Sequence, residues 1–248
     1  MKEHYLGFKL MFSYFTILPV RFLQTDKLST PTVFASMLFF LPFAGLVLGS
    51  ITLGIYTLLE PLHWLAYIIA AIAYMMLYGF IHTEAIIDVA DAIYASHAGK
   101  DAYAVIKEPS VGAMGVLWAG SMLLLKVATI SYLLSYGAYT LFLSILIISR
   151  LGLLLLVFTH AFRSSFINQM KEGFNLSYCI SSFAIFGTIG VLLSGSNAIV
   201  LLIMGLLFSI FIAHTLQKKL GFINGDVLGT TLEATEILLF ILGAILWL

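Results

Sequence analysis

Seven apolar runs of about 17 to 25 residues divide this chain, roughly at 33–58, 62–81, 113–135, 139–158, 179–194, 197–216 and 232–248. Each is long enough, or nearly so, to cross a bilayer as a helix. The pattern predicts an all-α, polytopic integral membrane protein with about seven transmembrane helices. Composition points the same way. Of 248 residues, 61% are hydrophobic and only 10% are charged, too few to cover a water-facing surface. The net charge is zero, so nothing attracts nucleic acid in general, and the lipid bilayer is the expected surrounding. Cys179 stands alone, which excludes an intramolecular disulfide and any cysteine-rich metal cluster; it reads as apolar filler in a span.

The N-terminal stretch "MKEHYLGFKLMFSYFTILPVRFLQTDK" has no small-residue cleavage site after its apolar part and reads as mature sequence. Its apolar core is short, interrupted by Lys9 and closed by Pro19 and Arg21, which predicts an interfacial or re-entrant helix within 1–31. Neither an internal repeat nor a low-complexity linker stands out, so 1–248 is expected to be a single membrane domain with a motif-bearing loop or helix at 82–112.

Basic residues set the expected orientation. Lys2, Lys9, Arg21 and Lys27 precede the first run, which predicts a cytoplasmic N-terminus and a place in the inner (cytoplasmic) membrane. The connections at 82–112, 159–178 and 217–231 then face the cytoplasm, and all of them carry Lys or Arg. The opposite connections "LEPLH", "SYGAY" and "SGSN" carry none. Glu84, Asp88, Asp91, Asp101, Glu108, Glu172 and Asp226 fall on the basic side, whereas Glu60 does not. With outer loops too short to form a site, the chemistry is expected on the cytoplasmic face.

Three segments there carry chemistry. In "HTEAIIDVAD", a helix puts Glu84, Asp88 and Asp91 on one face by i, i+4, i+7 spacing, with His82 on the other side. Three carboxylates so placed repel unless a cation sits among them, and Mg²⁺ prefers carboxylate oxygens shared with substrate phosphates. The alternative is a solvated acidic helix end. "KEPSVGAMG" joins Lys107 and Glu108 to Gly112 and Gly115 before a span, where a helix N-terminus favours an anion. "GFINGDVLG" sets Asp226 beside Gly225, either as a site carboxylate or as a helix cap. Arg150 and Lys126 fall inside spans, where charges pair or serve a site. Arg150 is placed to reach a phosphate, and Lys126 is expected to meet a buried carboxylate. Arg163 is loop-exposed, and Glu236 is deep enough in the last run to stand out.

The order of these segments resembles the cobalamin synthase family, the adenosylcobinamide-GDP ribazoletransferases. That family carries His-x-Asp-Gly-x3-Asp-x2-Asp-Gly, matched at His82, Asp88 and Asp91, with Glu84 for the first Asp and Ala85 and Ala92 for the glycines. Its Lys-Asp-Ser-x-x-Gly-x-x-Gly resembles "KEPSVGAMG", and its Gly-Gly-x-Thr-Gly-Asp-x-x-Gly-Ala resembles "GFINGDVLGT", followed by Glu236. Lys126, the Ser149–Arg150 pair, Arg163 and "YFTILP", with Ile17 in place of an Arg, continue the similarity over about residues 12 to 236.

The resemblance implies a Mg²⁺-dependent transferase that joins adenosylcobinamide-GDP to α-ribazole, or its 5′-phosphate, with release of GMP. Glu84, Asp88, Asp91 and Asp226 would hold the metal. Arg150, Arg163, Gly112, Gly115, Gly225 and Asp226 would contact substrate, Lys107 would act in catalysis by contacting the pyrophosphate, and His82 or Glu108 would accept the hydroxyl proton. A second copy of the chain, or other enzymes of cobamide assembly, are candidate partners. The rival enzyme is a CDP-alcohol phosphatidyltransferase, but "DVADAIYASHAGKD" lacks the Gly-x2-Ala-Arg and later Asp-x3-Asp of that family. A transporter would place charges near the midplane within repeats, which this sequence does not.

Overall fold

Twelve α-helices and no strand occur among residues 1–247, which the computed structural model describes. Helix α1 (Lys2–Phe15) lies along α2 (Pro31–Phe39), and the His4 ring nitrogen Nδ1 sits 2.7 Å from Ser36 Oγ. The run expected as one span at 33–58 is broken in two. Phe40 leaves helical geometry and Pro42, which has no N–H to give, opens α3 (Leu41–Leu59). A 3₁₀ turn at Glu60–Leu62 leads to α4 (Trp64–Leu77), shorter than the expected 62–81. Gly79 and Phe80 then both take positive φ, and the chain bends by 79° into α5 (Ile81–His97).

The short α6 (Ala102–Val105) follows, then α7 (Ala113–Ser135), α8 (Tyr139–Thr159), α9 (Ser165–Glu172), α10 (Leu176–Ser194), α11 (Asn197–Leu220) and α12 (Gly225–Trp247). Six of these helices, α3, α7, α8, α10, α11 and α12, are long and apolar enough to cross a membrane, which makes the protein multi-pass. Helix α4 has 14 residues, about 21 Å at 1.5 Å each, and packs between α3 and α7. Taken with α5 across the 79° bend, it makes a broken span that brings the number of crossings to seven, with the charged residues of α5 beyond the bend. Helix α8 forms the axis, 83% buried in its most apolar window, and α3, α10, α11 and α12 pack round it. A helix apolar on every side needs such a position. By contrast α7, α10 and α11 are only 22% buried within the chain and leave most of their apolar surface for lipid.

Two spans prove longer than hydropathy suggested. The run at 179–194 begins at Leu176, capped by Asn175, and the run at 232–248 begins at Gly225, with Leu248 outside the described residues. In α12 the polar first turns, Asp226 to Glu236, had hidden the start. Asn224 caps it, its side-chain oxygen accepting the Val227 N–H at 3.0 Å. Side-chain caps at Thr30, Asp101, Ser164, Asn175 and Asn224 all belong to the connections that carry basic residues. The opposite connections turn instead on Gly137 and Gly195, both at positive φ.

Candidate active site

The first turns of α5 are the "HTEAIIDVAD" stretch, and the helix divides its residues as the spacing requires. His82 and Ala85 are buried against Gly229 of α12, whereas Glu84 is exposed and Asp88 and Asp91 are half-buried. The α5–α12 approach is close because position 229 is glycine: a Cβ there would lie 2.9 Å from Ala85 Cβ.

Asp91 caps α7. Its two oxygens accept the N–H groups of Gly112 at 2.6 Å and Gly115 at 2.7 Å. A Cβ at Gly112 would fall 2.5 Å from that carboxylate and displace it, and one at Gly115 would also lie 2.7 Å from the Ile87 carbonyl, so glycine at both positions permits the bonds. The helix N-terminus in "KEPSVGAMG" does bind an anion, but the anion is the chain's own. Asp91, expected at the metal, and Gly112 and Gly115, expected at the substrate, are thus bonded to one another. Asp91→Ala leaves two N–H groups without their acceptor and is expected to cost about 2 kcal/mol of stability, with Asp91→Asn intermediate. Melting curves in detergent measure it.

Asp88 keeps a different company. Partial burial, and then the nearby carboxylates of Asp226, Glu84 and Asp91, push its carboxyl up to about 6. The folded chain therefore holds this proton more tightly than the unfolded one, where the group ionises near 3.8. The stability this contributes is complete below about 3.8 and is lost as pH rises through about 6. In metal-free buffer the melting temperature is expected to fall across that window, and Asp88→Asn to flatten the fall.

Beside these acids lies a cavity of about 450 Å³ between α1, α5, α6, α9 and α12. Its polar lining comes from His82, Lys107, Arg163, Ser164, Ser165 and Asp226 among others. Ser164 caps α9 and Asn224 caps α12, so two helix N-termini open towards one space. Asn224 also donates from Nδ2 to Asp226 Oδ2 at 2.7 Å, fixing that carboxylate. Neither Lys107 nor Arg163 has a carboxylate within 4.0 Å among the described residues. Two unpaired cations, two helix N-termini and an adjoining acid cluster suit a polyphosphate that brings a divalent cation with it.

Deeper in the bundle the charges are paired. Lys126 Nζ lies 2.6 Å from Glu233 Oε2 and 2.7 Å from Glu236 Oε2. Arg150 Nη1 lies 2.6 Å from Glu236 Oε1 and its Nη2 donates to Tyr74 at 3.2 Å. Ser149 and Tyr74 also donate to Glu236. Two cations and two acids, all at most 3% exposed, cancel and satisfy one another. Lys126 thus meets buried carboxylates as expected, whereas Arg150 is not brought to the cavity. Its guanidinium is turned inward to Glu236, since a buried arginine takes the carboxylate at hand. His82 joins the two regions, lining the cavity with Nδ1 3.8 Å from Glu233 Oε1.

Of the other expected site residues, Gly225 and Asp226 line the cavity, while Glu108 lies exposed outside its lining, near Ser110. Among His, Cys, Asp and Glu no three of the described residues meet closely enough to cage a metal unaided. Tyr103, Ser164 and Asn224 were not foreseen. The "N-G-D" start of α12 and the "S-S" start of α9 carry ordinary cap signals that could have marked the last two.

The sequence pattern of the family described as cobalamin-5-phosphate synthase matches residues 7–244. A protein of Brevibacillus brevis named adenosylcobinamide-GDP ribazoletransferase is 28% identical over 244 residues, 95% of this chain and 97% of its own. A Chlorobium chlorochromatii protein of the same name is 26% identical, covering 86% of this chain and 88% of its own. No solved structure matches. A family pattern spanning nearly every helix, from α1 to α12, leaves one conclusion: the chain belongs to the cobalamin-5-phosphate synthase family.

Proposed function

We propose that the protein is the membrane transferase that joins adenosylcobinamide-GDP to α-ribazole, or its 5′-phosphate, releasing GMP. The observation that carries this reading is the cavity that unpaired Lys107 and Arg163 line together with Asp226, with Asp88 and Glu84 close to Asp226. The site opens at the end of the bundle that bears the basic connections, so we infer a cytoplasmic face and a cytoplasmic N-terminus.

In this reading Lys107 and Arg163 hold the diphosphate, with N–H groups from the first turns of α9 and α12 adding neutral donors. A ribose hydroxyl of the ribazole attacks the phosphorus next to the corrinoid's aminopropanol arm. The new O–P bond forms as the bridging P–O bond to the second phosphate breaks, and GMP leaves with that phosphate. His82 takes the hydroxyl proton, being the imidazole that lines the cavity. Its Nδ1 lies 3.8 Å from Glu233 Oε1, and Glu233 is itself fixed by Lys126.

Glu84, Asp88 and Asp226 are the residues proposed to hold Mg²⁺. The donor set fits such an ion: mutually repelling carboxylates beside a phosphate site suit a cation shared with substrate, which needs only one or two protein oxygens. When bound, Mg²⁺ would neutralise charge developing on the phosphate oxygens. Asp91 keeps α5 and α7 in register around this group.

Purified protein given both substrates and Mg²⁺ is expected to yield GMP and joined corrinoid in equal amounts. Intact substrates after incubation, with the protein folded, would return the choice to a non-catalytic membrane protein.

A further inference from the structure

One aromatic ring holds both cavity cations. Arg163 Cζ lies 3.7 Å from the centroid of the Tyr103 ring, and Lys107 Nζ lies 4.1 Å from the same centroid. Tyr103 is well anchored for this. Its N–H is accepted by Asp101 Oδ1 at 3.0 Å, its ring meets Phe222 edge-on at 5.1 Å, and its hydroxyl donates to the Arg163 carbonyl at 3.4 Å. The Arg163 N–H in turn donates to the Ile223 carbonyl at 2.8 Å. One ring thus ties together α6, the loop before α9 and the loop before α12.

Two like charges with no carboxylate partner would ordinarily drift apart into water. The negative face of an aromatic ring attracts each of them and leaves their N–H groups free, which a salt bridge would not. Resting on the proposed reading of the cavity as a diphosphate site, we propose that Tyr103 is a positioning residue. It holds Lys107 and Arg163 at a fixed spacing, so that the diphosphate meets a charge pair already assembled. The gain is the ordering of two flexible side chains before binding rather than during it.

Inorganic pyrophosphate is the probe, its binding measured by equilibrium dialysis on the full chain in detergent. Tyr103→Leu removes both cation–π contacts and is expected to weaken pyrophosphate binding about tenfold. Tyr103→Phe keeps the ring but loses the hydroxyl, and is expected to stay within about twofold of wild type; Tyr103→Trp should bind at least as well. Wild-type affinity in a folded Tyr103→Leu overturns the proposal. So does a tenfold loss in Tyr103→Phe, because the hydroxyl bond and not the ring would then be what matters. If Tyr103→Leu does not fold, retained binding in the Phe and Trp variants supports the ring's role and a loss in the Trp variant overturns it. Arg163→Ala separates this proposal from the reading beneath it. Unchanged binding there removes the diphosphate site itself, whereas weakened binding beside an intact Tyr103→Leu removes only the part given to Tyr103.

Discussion

Glu236→Gln is expected to lower stability by about 3–5 kcal/mol, a fall on the order of 10 °C in melting temperature for a chain of this length. Glu236 accepts from Arg150, Lys126, Tyr74 and Ser149 at once. Its amide substitute has nearly the same shape but no charge, so Arg150 is left as a buried cation without a counter-ion. Lys126 keeps Glu233. Adding Arg150→Met to Glu236→Gln removes the orphaned charge and is expected to restore most of the loss, because the two positions share one interaction. Thermal unfolding of the single and double variants in detergent measures both. A double variant no more stable than Glu236→Gln alone would mean that the pairing is not the origin of the effect.

Asp226→Asn is expected to behave in the opposite manner. The substitution removes one of the carboxylates that crowd Asp88, so the melting temperature should hold or rise. Asn224 loses a charged acceptor, but the side-chain oxygen of the new amide can still accept from it. Turnover should fall roughly 10³-fold, about 4 kcal/mol of barrier, if Asp226 serves the proposed cation and phosphate site. Stability kept and activity lost is the signature expected where repulsion is maintained for function. Glu236 and Asp226 thus separate the two charged regions: the first pairs buried cations inside the bundle, and the second lines the cavity proposed for the chemistry.

Much of this division was legible in the sequence. Run lengths gave the spans, and basic connections marked the end at which the motifs gather. Helical spacing put Glu84, Asp88 and Asp91 on one face. Depth within a span singled out Lys126 and Glu236, which do meet. Arg150 could not be read the same way, since a lone buried cation looks identical whether it faces a phosphate or a carboxylate from a helix 86 residues away. Asp91 and the glycines of "KEPSVGAMG" were each read as open to a ligand. Only the fold shows that an acid and a helix N-terminus 21 residues apart satisfy one another. The break at Phe40 was hidden because hydropathy runs smoothly through it, and the bend at Gly79 and Phe80 because it falls in the last residues of an apolar run. Tyr103 carried no signal, as its two cations come to it through tertiary structure.

The rate of GMP release from adenosylcobinamide-GDP by Asp226→Asn, set against wild type of equal melting temperature, tests the central claim most directly. A loss of roughly 10³-fold at unchanged stability is the predicted result. Release at the wild-type rate would contradict it and move the transfer chemistry away from the cavity between α5, α9 and α12.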